Sequence, residues 1–157
     1  MKLLFKQRLF AWFDSYDIYY EDGSVAYTVK GQLSWGHKLN IYNRNGDYVG
    51  TVKERIIKVL PAFDIYIGEN HLGTIRKDLS LLSHRYNIDY KGWSVKGNFL
   101  GWDYEVIDAN KDLVAVVSKA LLRITDTYVI DVLDGYDEVA VLMLVLAIDA
   151  EKCSASE

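Results

Sequence analysis

Val139-Ala140-Val141-Leu142-Met143-Leu144-Val145-Leu146-Ala147-Ile148 is an unbroken apolar run near the end of the chain. A helix with no polar position has no wet face and must sit inside protein or lipid. Lipid is disfavoured on length. Spanning a bilayer takes about 20 apolar residues, and this run is closed by Asp137 and Glu138 on one side and by Asp149, Glu151 and Lys152 on the other. The β-branched Val139, Val141, Val145 and Ile148 make a strand the rival reading. The run is longer than a usual strand of about 5–6 residues, and Ala140, Leu142, Met143, Leu144, Leu146 and Ala147 are helix formers. Asp134 or Asp137 can supply the N-cap, with the acidic cluster at the positive end of the helix dipole and Lys152 near the negative end. The rest of the chain is therefore expected to wrap around this helix.

A chain of 157 residues suits one domain, large enough to bury about two-thirds of its unfolded surface. Residues 1–152 are read as that domain and 153–157 as a polar tail. Twelve Tyr, five Phe and four Trp favour β-structure, because aromatic side chains fit a pleated surface. Eleven Gly and the single Pro61 fit many tight turns. The net charge of −4 argues against non-specific nucleic-acid binding, which rests on neutralising phosphates with Lys and Arg. Cys153 is the only cysteine, so no internal disulfide can form and a reducing compartment is expected. Lys2, Lys6 and Arg8 stand where a signal peptide needs an apolar core of about 7–15 residues, which makes the cytoplasm the expected location.

Working back from the helix, the chain repeats one unit. Tyr16 to Tyr20 leads through Glu21-Asp22-Gly23 into Val25 to Lys30: strand, turn, strand. Asp-Gly and Asn-Gly suit the type I′ hairpin, whose two central residues need positive φ. The unit returns 23 residues later, where Ile41 answers Ile18, Gly46 answers Gly23 and Tyr48 to Lys53 answers Val25 to Lys30. A third copy sets Gly73 to Arg76 against Gly50 to Lys53, with Ile65 lying 24 residues past Ile41, as if its turn were one residue shorter. A looser fourth runs from Tyr104 to Lys119. Such units cannot bury an apolar face alone and must share a core. Leu3 to Phe13 holds one or two strands, Arg85 to Tyr90 and Trp93 to Lys96 form a hairpin turned at Lys91-Gly92, and Thr127 to Val132 is the last strand. Ile56 to Leu60, before Pro61, reads equally as helix or strand. The expected fold is mainly β: roughly twelve strands in an antiparallel closed barrel, which removes exposed edges, around a buried hydrophobic C-terminal helix.

Lys6-Gln7-Arg8-Leu9-Phe10, the hairpins beginning at Ile18 and Ile41, Gly101-Trp102-Asp103-Tyr104-Glu105 and Val145 to Asp149 together resemble the LURP-one-related family over nearly the whole chain. The likeness rests on the order and spacing of these segments rather than on any single motif. The resemblance implies kinship with the tubby C-terminal domain and the phospholipid scramblases, hence a twelve-stranded barrel threaded by a hydrophobic helix. It implies no assigned biochemical activity, and fold transfers better than function. Tubby domains bind phosphoinositides, and Lys53-Glu54-Arg55 resembles the Lys-x-Arg pair that does so.

The residues themselves point to no catalysis. His37, His71 and His84 have no His or Cys partner at metal-ligand spacing, and His71 reads as an exposed or half-buried strand residue. Cys153 has no neighbouring base to activate it, and no Ser stands in G-x-S-x-G. Asp22, Asp47, Asp108 and Asp112 read as turn formers, and Trp12, Trp35, Trp93 and Trp102 as core or rim packing. No enzyme activity, cofactor or metal site is expected. What has a functional slant is the base that ends the second strand of each copy: Lys30, Lys53, Arg76 with Lys77, and Lys119. Side by side in one sheet, repeat-equivalent bases would reach similar heights and, with Arg55 and Lys58, make an anion-binding patch. Surface lysines also serve solubility on edge strands. The expectation is a non-enzymatic module recognising phosphoinositide or another anionic ligand at a membrane surface through Lys53, Arg55, Arg76 and Lys77, peripheral to the membrane and without a spanning segment. The alternative is a barrel that acts as a protein-protein interaction scaffold with no lipid ligand. Scramblase activity ranks third, because the closing run is too short to span.

Overall fold

The computed structural model describes residues 1–6, 15–34, 36–55, 62–77, 86–98, 101–120 and 127–154. Within them the strands are β1 (Lys2–Lys6), β2 (Ser15–Tyr20), β3 (Val25–Ser34), β4 (Gly36–Asn43), β5 (Tyr48–Arg55), β6 (Ala62–Ile67), β7 (Asn70–Lys77), β8 (Tyr86–Ile88), β9 (Ser94–Asn98), β10 (Asp103–Ile107), β11 (Leu113–Lys119) and β12 (Thr127–Val132). One helix, α1 (Glu138–Ser154), closes the chain. Neighbouring strands pair antiparallel in the order β1-β12-β11-β10-β9-β8-β7-β6-β5-β4-β3-β2, and β1 also pairs with β2. At β8 and β9 the sheet is joined by a single residue pair, Asn87 with Ser94. The fold is thus mainly β and antiparallel with one C-terminal helix, as expected. Trp12, Trp35, His84, Lys58, Pro61, the Ile56 to Leu60 segment and the Lys6-Gln7-Arg8-Leu9-Phe10 segment beyond Lys6 lie outside the described residues.

The sequence repeat is a repeat of bulged hairpins. Register shifts fall directly after the recurring isoleucines, between Ile18 and Tyr19, Ile41 and Tyr42, and Ile65 and Tyr66, and in the fourth copy between Val106 and Ile107. An extra residue at that point bends the strand and increases its twist. The turns correct the type I′ expectation. Gly23 and Gly46 have φ of +82° and +85°, but Asp22 and Asn45 are not left-handed. The Gly23 N–H donates to the Tyr20 carbonyl (3.0 Å) and the Gly46 N–H to the Asn43 carbonyl (2.9 Å). Glycine closes these longer turns in a G1-bulge manner, because it alone among common residues adopts positive φ at little cost. In the fourth copy Lys111 holds the equivalent place at φ 69°, with its N–H on the Asp108 carbonyl. The turn acids act as expected: Asp22 Oδ1 accepts from the Ser24 N–H, and Asp108 Oδ1 from the N–H groups of Asn110 and Asp112.

The apolar run is a helix and is buried all round: every residue from Ala140 to Ile148 is at most 2% exposed. Asp137 is its cap, with Oδ1 accepting from the N–H groups of Val139 (2.9 Å) and Ala140 (3.2 Å). The helix continues to Ser154, so Cys153, expected in a tail, lies in its last turn. None of the described helices is long and apolar enough to cross a membrane. The wall around it is made by inward residues such as Leu3, Ile18, Ile41, Val52, Phe63, Ile75, Val106, Val117 and Ile130. Gly50 shows how close the fit is. A Cβ there would lie 2.1 Å from the Tyr66 carbonyl oxygen and 2.4 Å from Met143 Cε, so a side chain like Tyr27 of the first copy has no room.

Both ends of α1 are tied to the wall by tyrosines donating to helix carboxylates. Tyr27 Oη donates to Glu138 Oε1 (2.7 Å), with Tyr20 Oη at 3.5 Å from the same oxygen. Tyr86 Oη donates to Glu151 Oε2 (2.6 Å). Burial, reinforced by the neighbouring carboxylate, pushes the Tyr27 and Tyr86 hydroxyls well above the usual phenol range, so both remain donors.

Candidate functional site

Alternation along β5 sets the site. Val52 is 1% exposed and faces the helix side, so Lys53 and Arg55 face outward, where both are exposed, and Glu54 faces inward. Glu54 Oε2 accepts from the His37 backbone N–H (2.9 Å) and lies 3.7 Å from His37 Nε2. The acid between the two bases of Lys53-Glu54-Arg55 is therefore on the other side of the sheet from them.

Register then places the outer bases relative to one another. Lys53 pairs with Lys38 on β4 and with Asp64 on β6, and Asp64 pairs with Thr74 on β7. One row further along, Arg55 pairs with Ala62 and Ala62 with Arg76, so the two arginines flank a small residue, about 10 Å apart at two strand spacings. Lys30 lies one row to the other side of Lys53, in the row of Asn40 and Thr51, and stands 4.8 Å from the ring centre of Tyr42. Lys30, Lys53 and Arg76 thus share a face but occupy successive rows, a stagger of the kind a tilted sheet requires. The fourth base departs from them. Lys119 pairs with Tyr128 and has the parity of buried Val117 but is exposed at the end of its strand, while Ser118 takes the position that Lys or Arg takes in the other copies.

Arg55 is not free. Its Nε donates to Asp64 Oδ2 (2.9 Å) and its Nη2 to Asp64 Oδ1 (2.8 Å), a bidentate pair. Thr74 Oγ1 donates to the same Oδ1 (2.7 Å), and His71 Nε2 lies 3.1 Å from it. Asp64 is 6% exposed. Burial alone would raise its pKa, but the hydrogen bonds from Thr74, Arg55 and His71 outweigh that and hold the carboxyl below the usual carboxylate range. His71 reaches Asp64 because of the bulge. It lies three positions before Thr74, an offset that in a regular strand puts two side chains on opposite faces, and the register shift after Ile65 returns it to the same one.

Of the four expected site residues, Lys53, Arg55 and Arg76 are exposed on one face, and Arg55 is engaged by Asp64. Lys77 ends β7 opposite Tyr86, and its side chain lies outside the described residues. Lys38, absent from the expected set, stands beside Lys53. Asp64 and His71 were not expected as site members. The bulge marker at Ile65, one residue out of step with its sister copies, was the signal that could have found His71. Trp93 and Trp102 are 5% and 3% exposed and belong to the core. Tyr42 and Tyr48 form an edge-on pair on the outer face, with Tyr48 46% exposed.

A family model described as LURP-one-related matches residues 1–149. The chain is similar to the Bacillus subtilis protein YxjI, 23% identical over 149 residues, which is 94% of this chain and 90% of that protein. Its fold is similar to that of a solved protein from Arabidopsis thaliana, with a TM-score of 0.68 at 16% identity, covering 94% of this chain and 88% of the plant chain.

Proposed function

The chain belongs to the LURP-one-related family, and on that premise we propose that it is a non-enzymatic binding module that takes an anionic ligand, phosphoinositide or another phosphate headgroup, on the outer face of β3 to β7. In this reading the sheet acts as a closed, tubby-like barrel whose helix supplies rigidity, and the protein works at a membrane surface from the cytoplasm. One observation carries it. Within β3 to β7 the outward charges among the described residues are Lys30, Lys38, Lys53, Arg55 and Arg76, against the single outward carboxylate of Asp64. Five bases and one carboxylate thus share one face of a protein whose net charge is −4, and Lys and Arg there offer charge-assisted hydrogen bonds to phosphate.

Flotation with phosphatidylcholine vesicles, with and without phosphoinositide, tests the reading. Binding should require the anionic lipid and weaken as salt rises, because exposed charges are screened over about 8–10 Å at physiological ionic strength. Equal flotation with neutral and anionic vesicles, or none with either at low salt, would remove the lipid reading. The Tyr42 and Tyr48 pair favours a second reading, a protein-interaction scaffold, since partly exposed tyrosines suit a protein partner. That reading expects no flotation and loss of partner capture on Tyr48→Ala.

A further inference from the structure

We propose that Lys38 and Lys53 form a two-pronged clamp for one phosphate monoester, so that the doubly charged monoester, and not the phosphodiester common to phospholipids, is the group this face selects. The inference deepens the anion-binding reading of the outer face and rests on it. The two lysines are register partners on β4 and β5. Side chains directly opposite in an antiparallel pair have Cβ atoms about 4.5–5.5 Å apart, and like charges there destabilise the sheet. Lys53 is exposed and Lys38 half-buried.

No acid relieves this conflict. In the same row Lys38 is flanked by Gln32 on β3, and Lys53 by Asp64 on β6. Asp64 stands where a counter-ion for Lys53 belongs, yet both of its oxygens accept from Arg55, and Oδ1 also has Thr74 and His71 within reach. Glu54, next to Lys53 in the chain, lies on the inner side with its Oε2 on the His37 N–H. Among the described residues neither lysine has an ion pair. Lys30, one row away, is instead set over the ring of Tyr42. Two cations held side by side by register, with the nearest carboxylate already taken, leave room for an anion from outside.

Charge decides the class of that anion. A phosphodiester carries one negative charge and leaves one ammonium unmatched, whereas a monoester carries about −1.5 to −2 near neutral pH and three acceptor oxygens. A lysine ammonium is a compact charge with three donors on a flexible stem, so two of them converge on one phosphate without the fixed fork of a guanidinium.

The test compares the full chain on phosphatidylcholine vesicles containing either phosphatidylinositol monophosphate or phosphatidylinositol, matched in net surface charge, at pH about 7.5. Wild type should bind the monoester vesicles roughly fivefold more tightly, the scale of one to two exposed ion pairs. Lys38→Gln and Lys53→Gln should each remove that preference. Arg76→Gln, which deletes the same charge from the same face, should weaken binding to both vesicles and keep the preference. Because the like-charge conflict is relieved, both lysine variants should melt about 1–2 °C above wild type. A preference that survives in both lysine variants, its loss in Arg76→Gln as well, or a lower melting temperature in both lysine variants overturns the inference. Thermal shifts with glycerol phosphate and with glycerophosphoglycerol, a soluble monoester and diester, repeat the comparison without a membrane. Preference for the monoester in solution but not on vesicles assigns the clamp to a free phosphate compound, and preference on vesicles alone assigns it to a lipid headgroup. Equal binding of monoester and diester in both formats leaves the anion face standing and removes the clamp; no binding in either removes both.

Discussion

Strands β5 to β7 present two unlike faces. Inward, Val52, Phe63, Ile65 and Ile75 are each at most 3% exposed and pack in the core with α1. Outward, the same strands carry exposed Lys53, Arg55, His71 and Arg76 together with buried Asp64, which holds Arg55 and His71 by ionic contacts. The inner face obeys a bulk rule, since any well-shaped apolar residue there removes area from water. The outer face obeys geometry, because register alone decides which charges meet. Substitutions on the two faces should therefore move different observables, stability for one and binding for the other.

The largest expected effect lies inside. Leu144→Asp puts a charge in the middle of the helix, where neighbouring residues are at most 2% exposed, and should cost more than about 4 kcal/mol, enough to abolish a cooperative thermal melt in a domain of ordinary stability. A soluble variant melting like wild type would break the contrast at once. Gly50→Ala asks how tight the inner fit is. With the new Cβ 2.1 Å from the Tyr66 carbonyl, the backbone or Met143 must shift, at about 1–3 kcal/mol in denaturant unfolding.

Asp64 sharpens the comparison from the outside. Its folded pKa is held below the ordinary carboxylate value near 4, so it stabilises the fold above that pH, and the contribution is lost as pH falls through the folded value. The stability gap between wild type and Asp64→Asn should shrink as pH falls below about 4. A gap that widens in acid would mean the carboxyl is raised instead. The smallest effect is in a turn. Lys111 holds a left-handed conformation that glycine fills in the first two copies, so Lys111→Gly should stabilise by about 0.5 kcal/mol, a rise in melting temperature of a degree or two.

The same contrast explains what was legible in the sequence. The helix was readable because ten consecutive apolar residues leave no alternative face. The hairpins were readable because Ile18, Ile41 and Ile65 recur at offsets of 23 and 24 with turn residues between the strands, but the register shift that follows each was not. Side-chain meetings set by register were not. His71 reaches Asp64 only through a bulge, and Lys119 is out of step with the other bases because it is displaced by one residue. Tyr27 and Glu138 meet across 111 residues of chain, and Tyr86 and Glu151 across 65, with no local pattern to announce either pair. The expected basic patch was partly legible because strand alternation puts Lys53 and Arg55 on one side, but nothing local showed that Arg55 would be occupied by a buried acid.

The claim that the outer face binds while the inner face folds is tested most directly by one paired measurement on a Lys53→Glu, Arg76→Glu variant: its melting temperature and its flotation with phosphoinositide vesicles. Both side chains are exposed and neither is ion-paired among the described residues. The account predicts a melt within about 2 °C of wild type, since exposed substitutions usually change stability by no more than about 0.5 kcal/mol, together with loss of flotation. Undiminished flotation, or a melt that collapses while the protein still binds, would contradict it.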